Sequence, residues 1–177
     1  MRIWQIVVLF LLLSSNNGLA ITWRLGLSSG LMQQPTSNYF HLVRGGYGEF
    51  ATDSNAINLR LGYLERPQFI ANGFRDQESF AYIGIGHAHK FMDILALSMH
   101  LGSGRVNGFV KADDPLIETS RYQLDGLMAS MEAVISLGKI EFAIGHMTIV
   151  GNKNETQFKS YVVWPYNFVT MRLGAVL

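Results

Sequence analysis

The chain has 177 residues, 18 of them glycine and none cysteine; 49% are hydrophobic, 15% are charged, and the formal net charge is +1. Without cysteine there is no disulfide framework, no thiolate metal site and no cysteine nucleophile. The charge balance argues against a general nucleic-acid binder, which carries a basic excess, and low charge with abundant aromatics argues against disorder.

Residues 1–20 read as an address. Met1-Arg2 is a short positive start, Val7 to Leu13 is uninterrupted apolar sequence, and Gly18-Leu19-Ala20 puts small residues where a signal peptidase reads. The apolar stretch is about 11 residues, against about 20 for a membrane span. The expectation is a cleaved signal peptide over residues 1–20 and one domain over 21–177. No cysteine follows the cleavage point, so lipoprotein anchoring is excluded, and no later segment suits a transmembrane helix. Removing Arg2 from the 14 basic residues leaves a balance with the 13 acidic ones.

Eight segments then alternate with period two, the mark of a strand with one apolar face. The first sets Ile21, Trp23, Leu25 and Leu27 against Thr22, Arg24, Gly26 and Ser28. The second, Tyr39 to Phe50, is rich in glycine and aromatics and ambiguous in phase. The third sets Ile57, Leu59, Leu61 and Tyr63 against Asn58, Arg60 and Gly62. The fourth sets Ile83 and Ile85 against Tyr82, Gly84 and Gly86. The fifth sets Leu95, Leu97, Met99 and Leu101 against Ala96, Ser98, His100 and Gly102. The sixth sets Leu127, Ala129, Met131, Ala133 and Ile135 against Gly126, Met128, Ser130, Glu132 and Ser136. The seventh sets Ile140, Phe142 and Ile144 against Glu141, Ala143 and Gly145. The eighth sets Val169, Met171, Leu173, Ala175 and Leu177 against Thr170, Arg172 and Gly174. A helical reading fails because glycine recurs in most segments, at about 1 kcal/mol each.

The connections alternate in length. The odd ones, near 29–38, 65–78, 103–121 and 150–156, are long; the even ones, near 51–55, 90–93 and 138–139, are short. An outer-membrane barrel has this pattern, with short periplasmic turns and longer extracellular loops. Ten residues at about 3.3 Å, tilted about 40°, rise about 25 Å, the apolar height of such barrels. Aromatics near segment ends (Trp23, Tyr39, Tyr47, Phe50, Tyr63, Phe80, Phe91, Tyr122, Tyr161, Trp164, Tyr166) are candidates for interfacial girdles. A soluble ligand-binding barrel points its apolar face inward, and its exterior normally carries many Lys and Glu. Here the polar face is Gly, Ser and Thr with scattered charge, which suits a narrow lumen better.

The expected fold is therefore all-β: an eight-stranded antiparallel up-and-down transmembrane barrel. The chain resembles the small outer-membrane β-barrels of Gram-negative bacteria over Ile21–Leu177, by architecture rather than by a signature motif. That resemblance implies outer-membrane location, contact with outer-membrane lipids and lipopolysaccharide, and insertion by the barrel-assembly machinery. It departs at the last residue, Leu177, where the class usually ends in Phe.

Arg24, Arg60, Glu132, Glu141 and Arg172 are expected in the lumen as a salt-bridge network, because unpaired buried charge is costly. His87 and His89 share one face, but no third ligand accompanies them, so they read as an interfacial pair and not a metal site. No cofactor or metal is expected. Between 103 and 121, Arg105, Lys111, Asp113, Asp114, Glu118 and Arg121 read as a solvated loop that could serve binding.

His146 and Thr148 share the outward parity of Ile140, Phe142 and Ile144, where polar groups are expensive unless functional or in the headgroup zone. An imidazole two residues from a hydroxyl suits a base and nucleophile, and Glu155 across the loop could orient the imidazole. These residues resemble the site of the lipid A 3-O-deacylases, eight-stranded outer-membrane esterases that need no cofactor. The resemblance implies His146 as base, Thr148 in the place of a serine nucleophile and Glu155 as orienting carboxylate; Ile149 stands where that family has Asn. The leading functional expectation is a non-enzymatic outer-membrane protein serving membrane structure, surface interaction or lipopolysaccharide contact. The alternative is an ester hydrolase acting on lipid A, and the third reading is the soluble barrel.

Overall fold

The computed structural model describes residues 21–33, 39–52, 57–71, 73–114, 119–154 and 163–177. The signal-peptide reading, Glu118 and Glu155 lie outside the described residues. Eight strands follow in chain order: β1 (Ile21–Gln33), β2 (Phe40–Thr52), β3 (Asn58–Ala71), β4 (Phe74–Met92), β5 (Leu95–Ala112), β6 (Ser120–Leu137), β7 (Ile140–Asn154) and β8 (Val163–Val176). Each pairs antiparallel with its neighbours, and β1 closes on β8 into a barrel. Ile21 and Leu177 lie at one end, called basal here; the opposite end is distal.

The period-two pattern sorts the side chains into two faces. Leu27, Leu101, Leu127 and Leu173 are exposed on the outside, 71%, 71%, 77% and 55% respectively, while Met128, Ile149 and Phe168 are buried inside. The outside is thus a continuous apolar belt, far larger than a soluble monomer tolerates, and it reads as a lipid-facing surface. On β6 it runs from Leu137 to Leu127, about 25 Å at the usual rise and tilt. No helix among the described residues is long and apolar enough to cross a membrane.

Strand limits differ from the sequence reading at the distal end. The stretch read as connection 65–78 is mostly strand, and β3 and β4 meet with Ala71 paired to Phe74. The stretch 103–121 is also mostly strand, leaving 113–119 between β5 and β6. Alternation of apolar and polar residues signals a strand only where one face meets lipid. Beyond the belt polar groups stand on both faces, Arg66 and Glu78 inside and Gln77 and Asn107 outside, so the pattern stops while the hydrogen-bonded ladder continues. As a result β4, β5 and β6 have 19, 18 and 18 residues, whereas β1 and β2 have 13 each. Gly73 and Gly138 take φ of 76° and 63° at the tight turns, a region that L side chains enter only with strain.

Four aromatics proposed for the girdles point inward instead: Tyr47, Phe80 and Tyr166 are buried and Tyr122 packs against the core. Their place in the alternation decides this, and glycines on neighbouring strands make the room. Tyr82 lies on Gly62, Tyr122 on Gly108, and Tyr47 on Gly26 and Gly174. Trp23, Tyr63 and Phe91 are exposed outside, as a girdle requires, and Tyr39 is exposed just before β2 at the distal end. The Trp23 and Phe50 rings meet at a tilt of 60°, centroids 4.0 Å apart, near the basal end.

Two outcomes follow. The protein folded in detergent should migrate differently on unheated and heated gels and give a strand-rich circular dichroism spectrum; solubility in plain buffer would contradict the belt. Gly62→Val should collide with the Tyr82 ring and lower the unfolding free energy in urea by about 1–3 kcal/mol.

Candidate functional site

The lumen is filled in three layers. Nearest the basal end is a chain of alternating charge. Glu141 meets Arg24 at 3.1 Å, and Arg24 meets Glu49 at 2.8 Å. Glu49 meets Arg60 at 2.7 Å, Arg60 meets Glu132 at 2.6 Å, and Glu132 meets Arg172 at 2.5 Å. Arg172 also lies over the Tyr47 ring, 4.3 Å from its centroid. The chain crosses the lumen from β7 through β1, β2, β3 and β6 to β8. It brings together all five charges assigned to the lumen from sequence: Arg24, Arg60, Glu132, Glu141 and Arg172.

Glu49 is the member the sequence reading missed. It lies in β2, whose glycines blur the phase; its charge inside an apolar band was the available signal that it faces inward. His100, buried beside it, has Nε2 3.8 Å from Glu49 Oε2 and Nδ1 3.5 Å from Ser98 Oγ.

The middle layer is apolar. Every strand contributes: Met32, Val43, Leu64, Phe80, Val106, Leu124, Met147 and Phe168 all belong to one buried cluster. Phe80 packs edge-on against Phe168 at 5.0 Å and Tyr166 at 5.5 Å.

The distal layer is built on Glu78. Arg66 donates from Nε to Glu78 Oε2 at 3.1 Å, and the Tyr166 and Tyr122 hydroxyls both donate to Oε1, the former at 3.0 Å. Arg66 also contacts Asp76 at 2.6 Å. This cluster ties β3, β4, β6 and β8 together. It escaped the sequence reading because Arg66, Asp76 and Glu78 fall in the stretch read as a loop.

The outer wall carries the remaining candidates. His146 and Thr148 both face outward on β7, His146 exposed and Thr148 half-buried. The Thr148 hydroxyl donates to Asn167 Oδ1 on β8 at 2.9 Å, its cross-strand partner. Its proton is therefore directed to an amide oxygen and not to His146. His87 and His89 face outward near the basal end, and His89 packs edge-on to Phe91 at 4.9 Å. Among the described residues no group of three or more His, Cys, Asp or Glu could hold a metal ion. Arg105, Lys111 and Arg121, read as loop residues, are outward-facing strand residues above the belt. Arg105 forms a two-point pair with Asp125 at 2.6 and 3.1 Å.

No protein-family model matches the sequence, and no curated protein matches it. Solved structures do match in fold, and they are small outer-membrane β-barrels. Ail, the attachment invasion locus protein of Yersinia pestis, superposes with a TM-score of 0.62 at 8% identity, covering 89% of this chain and 97% of that one. Ail in complex with the heparin analogue sucrose octasulfate matches with a TM-score of 0.61 at 8% identity, covering 89% and 97%. Neisserial surface protein A (NspA) matches with a TM-score of 0.61 at 7% identity, covering 88% and 96%. The N-terminal barrel of Pseudomonas aeruginosa OprF matches with a TM-score of 0.61 at 10% identity, covering 87% and 97%. The class is thereby defined: the fold is the closed eight-stranded antiparallel barrel of small outer-membrane proteins.

Removing the Glu132 carboxylate should be the most damaging single change in the lumen. Glu132→Ala leaves Arg172 without its carboxylate partner and should cost about 3–5 kcal/mol of unfolding free energy in detergent. Replacing Glu132 and Arg172 together by apolar residues of similar volume, which leaves Glu141, Arg24, Glu49 and Arg60 in balance, should cost less than Glu132→Ala alone.

Proposed function

We propose that this is a non-enzymatic outer-membrane protein whose lumen is closed and whose working surfaces are its lipid-facing wall and its distal end. The distal end faces the cell exterior, and the basal end, with both termini, faces the periplasm. Contact with lipopolysaccharide and surface interaction are its roles. Export through a signal peptide cleaved after Ala20, and insertion by the barrel-assembly machinery, precede them.

The observation that carries this reading is the filling of the lumen. An apolar layer contributed by all eight strands separates two polar layers, and an eight-stranded barrel has room only for side chains. A continuous water path is thereby interrupted, which argues against nutrient diffusion. The matched Ail barrel, solved with a sulfated heparin analogue, supports a surface-interaction role by likeness of fold. The mature protein recovered from outer membranes should begin at Ile21. In planar bilayers it should give no steady ion conductance, while Phe80→Ala with Phe168→Ala should admit a measurable leak; a stable pore in the unaltered protein would overturn the reading.

A second reading, an ester hydrolase acting on lipid A, draws on the outward placement of His146 and Thr148 on one strand. The chemistry asks Thr148 to give its proton to His146 while its oxygen attacks the acyl carbonyl. The hydroxyl must first leave Asn167 and rotate towards the imidazole. Mass spectrometry of lipid A from cells with and without the protein decides the matter. Loss of one hydroxyacyl chain, abolished by Thr148→Ala and by His146→Ala, is the outcome this second reading requires. Unchanged lipid A with the barrel folded in the outer membrane removes it.

A further inference from the structure

We infer that the outer face of the projecting β4–β6 sheet is a binding site for a phosphorylated saccharide, the core oligosaccharide of the surrounding lipopolysaccharide. The inference rests on the membrane orientation proposed above and assigns that wall a ligand.

Strand register lays out the face row by row. At the belt edge Ile83, Ser103 and Leu127 are cross-strand neighbours. One step higher come Ala81, Arg105 and Asp125, then Ser79, Asn107 and Gln123, then Gln77, Phe109 and Arg121, and last the pair Arg75 and Lys111. Each step of two residues adds about 5 Å of height at the usual rise and tilt. The four rows above the edge therefore occupy about the first 20 Å outside the lipid, the zone of the saccharide core.

A cleft of about 700 Å³ opens on this face, lined by Gln77, Ser79, Asn107, Phe109, Lys111, Arg121 and Gln123 among others. The one carboxylate in its lining, Glu78, is buried and held from inside by Arg66 at 3.1 Å, so it does not offset the cations of the outer face. The flanking arginines are neutralised, Arg75 by Asp113 at 2.9 Å and Arg105 by Asp125 at 2.6 Å. Among the described residues no carboxylate pairs with Lys111 or Arg121. Two free cations at one cleft select a dianionic group such as a phosphate monoester, which Arg grips by two parallel bonds and Lys by point charge.

The neutral groups select a sugar. Gln77 Nε2 is engaged by Glu65, and Gln123 Nε2 by Asp125. Both amides are thereby oriented, with their oxygens left as acceptors for hydroxyls. Asn107 and Ser79 add donors and acceptors between them, and the Phe109 ring gives an apolar patch for a sugar's C–H face. A few oriented polar groups around an apolar patch are the make-up of a specific ligand site.

The test uses the full barrel folded in detergent micelles and isothermal titration with delipidated core oligosaccharide, intact or dephosphorylated. Lys111→Gln with Arg121→Gln should weaken binding of the intact core about tenfold or more, and dephosphorylation should have the same effect on the parent. Arg75→Gln, which removes a cation already paired with Asp113, should change affinity less than about twofold. Equal affinity of the double variant and the parent would overturn the proposal. So would tighter binding of a soluble heparin octasaccharide than of the phosphorylated core, which would assign the cleft to a ligand outside the membrane. The heat-dependent gel shift shows that each variant is folded. Bilayer conductance reports separately on the closed lumen, so failure of the site and failure of the functional reading are distinguishable.

Discussion

An eight-stranded barrel encloses a space that side chains must fill, and whatever charge enters it must cancel within it. The run Glu141, Arg24, Glu49, Arg60, Glu132, Arg172 meets both demands. Three positive and three negative groups alternate, so each interior member of the run touches an opposite charge on both sides. Such a chain need not be strongly stabilising in itself, since desolvation offsets most of the Coulomb attraction. Its effect is on alternatives. A one-residue slip between neighbouring strands exchanges the two faces of a strand and would point its charges at lipid. Six strands carry a member of the chain, so a slip in any of them leaves an opposite charge stranded in the lumen.

The layers above follow from the same constraint. Two polar clusters bracket an apolar one, and each depends on glycine to admit a large side chain from the next strand. Tyr82 lies over Gly62 and Tyr122 over Gly108. The glycines that made a helical reading untenable are thus the places where the lumen accepts aromatic bulk. The exterior needs nothing comparable, because lipid conforms to it.

Much of this was legible before the strands were placed. Wherever one face met lipid, alternation assigned inside and outside correctly, and Arg24, Arg60, Glu132, Glu141 and Arg172 could be put in the lumen by parity and cost of burial. Two kinds of information were not legible, and a third was legible but misjudged. Glu49 sits among Gly45, Gly46 and Gly48, which carry no hydrophobic signal to set the phase. Arg66, Asp76 and Glu78 belong to strand extensions with polar groups on both faces, where alternation no longer separates inside from outside. Phe80, Tyr122 and Tyr166 were judged by nearness to strand ends, although their parity already pointed inward; Tyr47 shares the unset phase of Glu49. On the outer wall, the facing of His146 and Thr148 could be read from β7 alone. The bond from Thr148 to Asn167 could not, because it depends on the register of β7 against β8.

The long β4, β5 and β6 raise a question of economy, since a mobile loop would connect the same strands at less cost in order. A paired sheet does what a loop does not: it holds outward side chains at fixed spacings, about 4.8 Å across strands and about 7 Å along them. The projecting part needs support once it leaves the lipid, and Glu78 supplies it from inside. Arg66 of β3, Tyr122 of β6 and Tyr166 of β8 all converge on that one carboxylate of β4. The inner face of the projection is thus pinned to strands that are themselves anchored in the belt. Rigid support beneath Lys111, Arg121 and their neighbouring amides is what a specific contact with an ordered ligand requires, and a solvated loop carrying the same residues would have to pay the ordering entropy on every encounter.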